Sequence, residues 1–207
     1  MATFDWFAAA MVIITFIYIT FIQTVGGWLQ ALRKGQAVNL LPEHRERKWP
    51  QWTQIAFVFL GLALFIPLMY VTWIPLLALP HALAHVLGMI GLVIYFVGFA
   101  FVEWARQTLG KYWGLSTSQQ VKLQHDHQLI QNGPYAFVRH PMYFGAWTLF
   151  MGLTLMYPVW AVFLTFLSTL IAFIGRARRE EAALLERFGK TWAEYKKHTN
   201  FIIPFLY

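Results

Sequence analysis

The sequence predicts an all-α integral membrane protein with five transmembrane helices. Hydrophobic residues make up 58% of the 207 residues and charged residues only 12%. An ordinary soluble domain carries about a quarter charged residues, so the chain is too apolar for that class. Its apolar runs reach or exceed the roughly 20 residues that a helix needs to cross a bilayer. All Lys and Arg side chains fall between or after these runs, in residues 33–48, 106–139 and 176–197.

This segregation of basic residues follows the positive-inside rule. It predicts a multi-pass protein with an odd number of spans, the N-terminus outside and the C-terminus in the cytoplasm. The same placement accounts for the net charge of +7, so we expect membrane lipids as neighbours and no nucleic acid partner. The chain has no cysteine, which excludes disulfides, thiolate metal sites and a cysteine nucleophile.

The first three spans are predicted from separate apolar runs. Trp6–Val25 is long enough to cross the membrane and is expected to be a retained helix rather than a cleaved signal peptide. Ile55–Leu77 is the second span, with bends expected at Pro67 and Pro75. Ala82–Val102 is the third, and its glycines offer small surfaces for close helix packing. These glycines are Gly88, Gly91 and Gly98.

The last apolar tract, Met142–Ile174, is too long for one span. As a single helix its 33 residues would measure about 50 Å, whereas the hydrocarbon core is about 30 Å thick. A hairpin of two short spans that turns near Pro158 fits the tract, because both of its flanks are basic. The hairpin returns Arg176 to the surface where His140 lies. Residues 176–198 then form a charged amphipathic helix, whose apolar stripe we expect to pack against the cytoplasmic loop.

The longest polar interval, Gln120–Gly145, contains a turn followed by a helix start. Asn132-Gly133-Pro134 is a strong turn signal, because Gly tolerates positive φ and Pro presets φ. Pro141 suits the first position of a helix, where its missing N–H is not needed.

Two spaced blocks carry the most specific pattern of the sequence. The first reads His127-x-Leu129-Ile130-x-x-Gly133-Pro134-Tyr135-x-x-x-Arg139-His140-Pro141-x-Tyr143-x-Gly145. The second reads Arg176-x-x-x-Glu180-Glu181, then Phe188-Gly189-x-x-Trp192-x-x-Tyr195 and Ile203-Pro204. Together they resemble the signature of the isoprenylcysteine carboxyl methyltransferase family, whose wider relatives are phospholipid N-methyltransferases and membrane sterol reductases.

The resemblance implies an S-adenosylmethionine-dependent methyltransferase with a cytoplasmic cofactor pocket. Its expected acceptor is amphipathic or lipid-like, foremost the carboxylate of a prenylcysteine-like substrate. It implies one domain over residues 1–207, with a three-helix membrane part at 1–102 and a catalytic part at 103–207. The cofactor contacts that it implies are Gln120, His127, Gln128, Leu129, Ile130, Tyr135, His140, Pro141, Met142, Tyr143 and Glu180. That family often has Ser where this chain has Met142, so a hydroxyl contact is missing there.

The side chains at these positions suit such a cofactor. Glu180 can pair with the ammonium group, and Tyr135 and Tyr143 offer aromatic faces to a sulfonium cation. His140 lies at a helix start, where we expect the helix dipole to disfavour its protonation, and it can hydrogen-bond the cofactor carboxylate or ribose. Arg176 lies one turn from Glu180 and is either the substrate-binding residue for an acceptor carboxylate or a snorkelling interfacial arginine. Arg176, Glu180 and His140 are the expected catalytic residues.

Other interpretations of single residues and of the whole chain stay open. Arg139 alone is typical of an anchor at the phosphate level. His125 and His127 without further ligands are weak evidence for a metal, so none is expected. The acceptor could instead be a phospholipid amine, or the chain could be an NADPH-dependent sterol-type reductase, although Lys111 and Lys122 offer few partners for a 2′-phosphate. A non-catalytic membrane protein is the third class.

Overall fold

The structure, a computed structural model, describes residues 2–18, 51–112 and 128–204. Within these ranges the chain is helical, and extended segments meet only at two isolated bridges. Contacts divide the chain into two units, Met1–Ala56 with Gly114–Gln120 and Phe57–Trp113 with Val121–Tyr207. The single domain over residues 1–207 stays a prediction.

Helix α1, Ala2–Ile17, belongs to the first unit and covers the first part of the predicted span Trp6–Val25. The rest of that span beyond residue 18 lies outside the described residues.

Helix α2, Gln51–Val71, contains Pro67 but ends before Pro75. The expected bend at Pro75 is therefore wrong, because that residue is not helical. It forms an antiparallel bridge with Val159 instead. The backbone N–H of Leu76 donates to the carbonyl of Pro158 over 2.7 Å, so the segment after α2 pairs with the tip of the predicted hairpin.

Helix α3, His81–Leu109, begins after Pro80 and runs past the predicted end at Val102. The extension carries a Glu103–Arg106 ion pair of 2.9 Å, one turn apart on the helix. The helix ends at Gly110, whose φ of 52° lies in the left-handed region that favours glycine.

Helices α4, Pro141–Met156, and α5, Trp160–Phe188, form the predicted hairpin. α5 continues without interruption through the charged sequence after Ile174. The segment predicted to be one amphipathic helix, residues 176–198, is thus helical, but it is divided between the end of α5 and a second, short helix. Gly189, with φ of 49°, breaks the chain, and the short helix α6, Lys190–Lys197, follows it.

Helices α3 and α4 pack closely because their glycines face the other helix. A Cβ atom at Gly91 would lie 2.7 Å from the carbonyl oxygen of Gly152, and one at Gly145 would lie 2.9 Å from that of Gly98. Such distances are shorter than real Cβ contacts, so only glycine permits this approach. The predicted role of Gly91 and Gly98 in close packing is confirmed.

Within the described residues, α3 and α5 are long and apolar enough to cross a bilayer. The apolar parts of α1 and α2, Trp6–Ile17 and Phe59–Val71, are shorter. The count of five spans stays a prediction.

Candidate active site

The polar loop before α4 is held against the C-terminal extension of α3. Residues Gly133–Ala136 form one turn of 3-10 helix, in which Gly133 has φ of 58°, so the predicted turn is confirmed. A Cβ atom at Gly133 would lie 2.9 Å from the side-chain oxygen of Thr108. This turn buries Pro134 and Tyr135 and leads the chain towards the start of α4 at Pro141, where a helix start was predicted.

The C-terminal tail folds back along the same loop. Val138 and Asn200 form a parallel bridge. The backbone N–H of Arg139 donates to the carbonyl of Asn200 over 2.8 Å, and that of His140 donates to Phe201 over 3.2 Å. Ile202 is buried in the hydrophobic core around α4 and α5. The tail therefore packs against the protein as far as residue 204, where the described residues end.

Tyr143, Arg176 and Glu180 meet where α4 and α5 face each other. The Tyr143 hydroxyl donates to Glu180 Oε1 over 2.6 Å. Arg176 Nε donates to the same carboxylate oxygen and to the Tyr143 oxygen, both over 3.0 Å. The hairpin thus brings together residues that are more than 30 positions apart, as predicted. Together with His140 we call these residues the Glu180 cluster.

His140 lies between two carboxylates. Its Nδ1 atom is 3.4 Å from Glu180 Oε2, and its Nε2 atom is 3.5 Å from Glu181 Oε1. The imidazole is buried, stacks with the Tyr143 ring at 5.6 Å between centroids, and meets the edge of Phe201 at 5.3 Å. The Nε2 atom is buried and makes no hydrogen bond with the described residues.

The two carboxylates decide the charge state of His140. Burial lowers the pKa of the imidazole, but Glu180 and Glu181 outweigh this effect and raise the pKa above its ordinary value. Our expectation that the helix dipole disfavours protonation is therefore wrong, since it neglected these carboxylates of α5. The same contacts act on Glu180. Burial raises the pKa of its carboxyl group, but the interactions with His140 and Tyr143 together have the larger effect, so the pKa lies below its ordinary value.

Sequence analysis missed the ion pair between Arg139 and Glu181. The Arg139 side chain is not an exposed anchor, because it is only 6% exposed and its Nε donates to Glu181 Oε1 over 2.6 Å. Burial raises the pKa of Glu181, but His140, Arg139 and Lys196 together lower it to about 2. A signal existed in the sequence, because the consecutive pair Arg139-His140 is complementary in charge to Glu180-Glu181.

The other predicted cofactor residues that the structure describes lie on the loop or at the start of α4. Tyr135 is buried, and its carbonyl accepts a 2.6 Å hydrogen bond from the Tyr195 hydroxyl. Burial, with Tyr195 and Glu180 nearby, raises the pKa of the Tyr135 phenol. Pro141 is buried, Leu129, Ile130 and Met142 are half-buried, and Gln128 is exposed. Gln120 and His127 lie outside the described residues.

Tyr195 also lines an open groove of about 630 Å³. It is lined by Gln131, Ala136, Lys190, Thr191, Glu194, Tyr195, His198 and Thr199. None of these residues belongs to the Glu180 cluster or to the predicted cofactor contacts. Among the described residues, no three His, Cys, Asp or Glu side chains are grouped so that they could hold a metal ion.

The Glu180 cluster can bind a zwitterion. A half-buried carboxylate with a lowered pKa is an acceptor for an ammonium group, and the unbonded His140 Nε2 is a donor for an oxygen. Tyr143 is stacked with Phe173 at 4.9 Å between centroids, which makes this end of the hairpin aromatic.

Comparisons with known proteins agree with the resemblance seen in the sequence. The family model described as phospholipid methyltransferase matches residues 85–191, which is more than half of the chain. The protein-S-isoprenylcysteine O-methyltransferase of Dictyostelium discoideum is 36% identical over 87 residues, covering 41% of this chain and 36% of that protein. The Saccharomyces cerevisiae enzyme of the same name is 35% identical over 89 residues, covering 42% and 37%. A Delta(14)-sterol reductase of Mus musculus is 37% identical over 87 residues, covering 39% and 20%.

A solved structure is also similar. It is that of a eukaryotic intramembrane Ras methyltransferase, isoprenylcysteine carboxyl methyltransferase, with a TM-score of 0.51 and 26% identity. The match covers 78% of this chain and 55% of that chain. The chain thus spans between about a third and a little over half of the length of these methyltransferases. With its apolar helices and this neighbour, the protein is a membrane protein, and its chain belongs to the phospholipid methyltransferase family.

Proposed function

We propose that the protein is an S-adenosylmethionine-dependent methyltransferase that works at the membrane on a lipid-like acceptor, foremost the carboxylate of a prenylcysteine-like compound. The observation that carries this proposal is the Glu180 cluster. It brings the half-buried Glu180 carboxylate together with Tyr143, Arg176 and His140, within the segment that the family model matches.

The residues of the cluster fit the amino-acid end of the cofactor. Glu180 would hold the ammonium group, and the buried Nε2 of His140 would donate to the carboxylate or a ribose hydroxyl. Both contacts are charge-assisted, which makes them about twice as strong as neutral hydrogen bonds. The rings of Tyr135 and Tyr143 would lie close to the sulfonium. Gln120 and His127 complete the proposed contacts.

S-adenosylmethionine supplies an activated methyl group when it is bound. An acceptor carboxylate would take the methyl group directly from the sulfonium, with the thioether as leaving group, so none of the chain's own residues needs to act as a nucleophile. What its residues provide is alignment and removal of water, for which effective molarities of about 10⁵–10⁸ M are known. Arg176 is proposed to hold the acceptor, since its planar guanidinium can bind a carboxylate with two parallel hydrogen bonds. Its side chain is 29% exposed beside the apolar end of α5 and engages Glu180 through Nε.

Five spans with a cytoplasmic site are proposed for the membrane arrangement. The two turns without Lys or Arg, after α2 and between α4 and α5, pair with each other through the Leu76–Pro158 hydrogen bond. This is expected if both turns lie on the outer face, with Arg176 and the basic segments on the cytoplasmic face.

A sterol-type reductase is the second candidate, because a Delta(14)-sterol reductase is 37% identical over 87 residues. A titration of the detergent-solubilised protein with S-adenosylmethionine and, separately, with NADPH distinguishes the two. Saturable binding of S-adenosylmethionine alone is expected.

The Glu180→Gln variant tests the proposed site. It keeps the size of the side chain but removes its charge, which should weaken S-adenosylmethionine by about 1.5–3 kcal/mol, or roughly 10- to 150-fold. Glu186→Gln is the matched control, since Glu186 is an exposed residue of the same helix. If the two variants bind the cofactor with equal affinity, Glu180 does not hold its ammonium group.

A further inference from the structure

Arg139 joins three parts of the chain around His140. Its Nε donates to Glu181 over 2.6 Å, and its Nη1 donates to the backbone carbonyls of Lys196, over 3.2 Å, and of Thr199. The guanidinium carbon also lies 5.7 Å from the centre of the Phe201 ring. A planar guanidinium can serve several acceptors at once, which an ammonium group does less well. Arg139 therefore fixes α6 and the tail relative to α5.

Glu181 lies between Arg139 and His140. Its Oε1 atom accepts the hydrogen bond from Arg139 and lies 3.5 Å from His140 Nε2, while its Oε2 atom accepts from Lys196 Nζ over 3.0 Å. A separation of 3.5 Å is too long for a good hydrogen bond, so Glu181 acts on the imidazole through its charge. The position of this carboxylate, which Arg139 and Lys196 set, decides how strongly it acts.

We propose that Arg139 and Glu181 are positioning residues for His140. The negative charge of Glu181 favours the protonated imidazole beside Glu180, and Arg139 holds the Glu181 carboxylate just beyond hydrogen-bonding distance of the ring. The proposal rests on the proposed function in one respect, which is that Glu180 receives the cofactor ammonium. When it is protonated, the imidazole at 3.4 Å offsets part of the negative charge of Glu180, so Arg139 and Glu181 would tune the affinity of Glu180 for that ammonium.

The groups that face His140 give the expected direction of each change. They are Glu180 and Glu181 from α5, Tyr143 from α4 and the Phe201 ring from the tail, with Arg139, Arg176 and Lys196 bound to the two carboxylates. Burial lowers the pKa of His140, and the carboxylates raise it above the ordinary value. An opposite charge within about 4–6 Å typically moves a pKa by about 1–3 units. Removing Glu181 should lower the pKa of His140, and removing the competing charge of Arg139 should raise it.

The experiment is a titration of the imidazole signals by NMR in protein labelled with ¹⁵N-histidine, without cofactor. The chain has seven histidines, and His140→Gln assigns the signal. In Glu181→Gln the inflection should move to lower pH, and in Arg139→Gln to higher pH. Arg139→Lys keeps the charge but loses the planar fork, so its inflection should lie between those of the parent and of Arg139→Gln. Glu194→Gln is the matched control, because this exposed glutamate of α6 has no contact with His140 and should leave its inflection unmoved.

Opposite shifts distinguish positioning from mere support of the fold, since a loosened site would move both inflections towards the ordinary value. An unchanged inflection in Glu181→Gln, or shifts of the same sign in the two variants, would overturn the proposal. Where Arg139→Gln does not fold, Glu181→Gln against its control decides alone. The measurement needs no cofactor, so a parent protein that fails to bind S-adenosylmethionine would reject the proposed function and leave this result standing.

Discussion

Gly152→Ala should separate α3 from α4 and thereby weaken both the fold and the site. The added Cβ atom would lie 2.5 Å from the backbone nitrogen of Tyr95 and 2.6 Å from the carbonyl oxygen of Gly91. Both neighbours are backbone atoms of α3, so no side chain can rotate away and the helices themselves must move. Overpacking of this kind costs about 1–3 kcal/mol, and the rigid neighbours place this case near the upper end.

Alanine also has a better helix propensity than glycine, by about 1 kcal/mol, which leaves a net loss of about 2 kcal/mol. For a chain of this size that corresponds to a melting temperature lower by about 4–8 °C. The ten tryptophans of the chain allow thermal unfolding to be followed by intrinsic fluorescence in detergent. Because α4 starts directly after His140, a shifted helix should also weaken S-adenosylmethionine binding.

Gly61→Ala is the matched control, since a Cβ atom at Gly61 in α2 would meet no atom within 4 Å. It should melt at the temperature of the parent or slightly above it. If Gly152→Ala melts together with Gly61→Ala, the close contact between α3 and α4 does not exist and the reasoning fails.

Three further predictions concern topology, the end of α5 and acid stability. The chain has no native cysteine, so single cysteines can be labelled selectively. Ala78→Cys should react with a membrane-impermeant maleimide only from outside, and Arg178→Cys only from the cytoplasmic side. The reverse pattern would exclude the proposed arrangement of five spans. Gly189→Ala should lower the free energy of unfolding by about 1–2 kcal/mol, measured as a lower unfolding temperature, because the φ of Gly189 is 49° and disfavours a side chain, although no atom lies within 4 Å of the new Cβ. Gly189→Asn should lower it less, since Asn tolerates this φ better. Equal losses in the two variants would argue against a backbone origin. The Glu181 carboxyl has a pKa of about 2 against an ordinary value of 4.5, so its contribution to stability is full above the higher value and is lost as the pH falls towards the lower one. The difference in unfolding temperature between parent and Glu181→Gln should therefore shrink on acidification over that range, and a difference that stays constant would contradict the ion pair.

The hairpin could be predicted because two physical limits act on one sequence. The 33 apolar residues after Pro141 exceed the length of one span, and basic residues flank both ends. The turn at Gly133 could be predicted equally well, because Gly followed by Pro is a local turn signal that needs no distant contact. In contrast, the end of α5 could not be predicted from the spacing of apolar residues. The helical spacing continues on both sides of Gly189, although the helix is broken there.

The burial of Arg139 could not be predicted from its neighbours. A basic residue just before an apolar helix usually lies at the headgroups, and its carboxylate partner is 42 positions away in the sequence. The charge state of His140 was missed for the same reason. The dipole of its own helix is a local feature, whereas the two carboxylates that outweigh it arrive from α5 through the hairpin.

The charges of the described site bear on the open question of the acceptor. Arg139, Arg176 and Lys196 contribute three positive charges, and Glu180 and Glu181 contribute two negative ones, before the charged His140 is counted. A partly buried excess of positive charge is costly unless an anion compensates it. The ammonium and sulfonium of the cofactor outnumber its single carboxylate, so cofactor binding adds to the excess. An acceptor carboxylate would remove it, whereas a protonated amine would increase it further and would have to lose its proton before it could attack. The charges around the proposed site thus support the proposed acid acceptor over an amine.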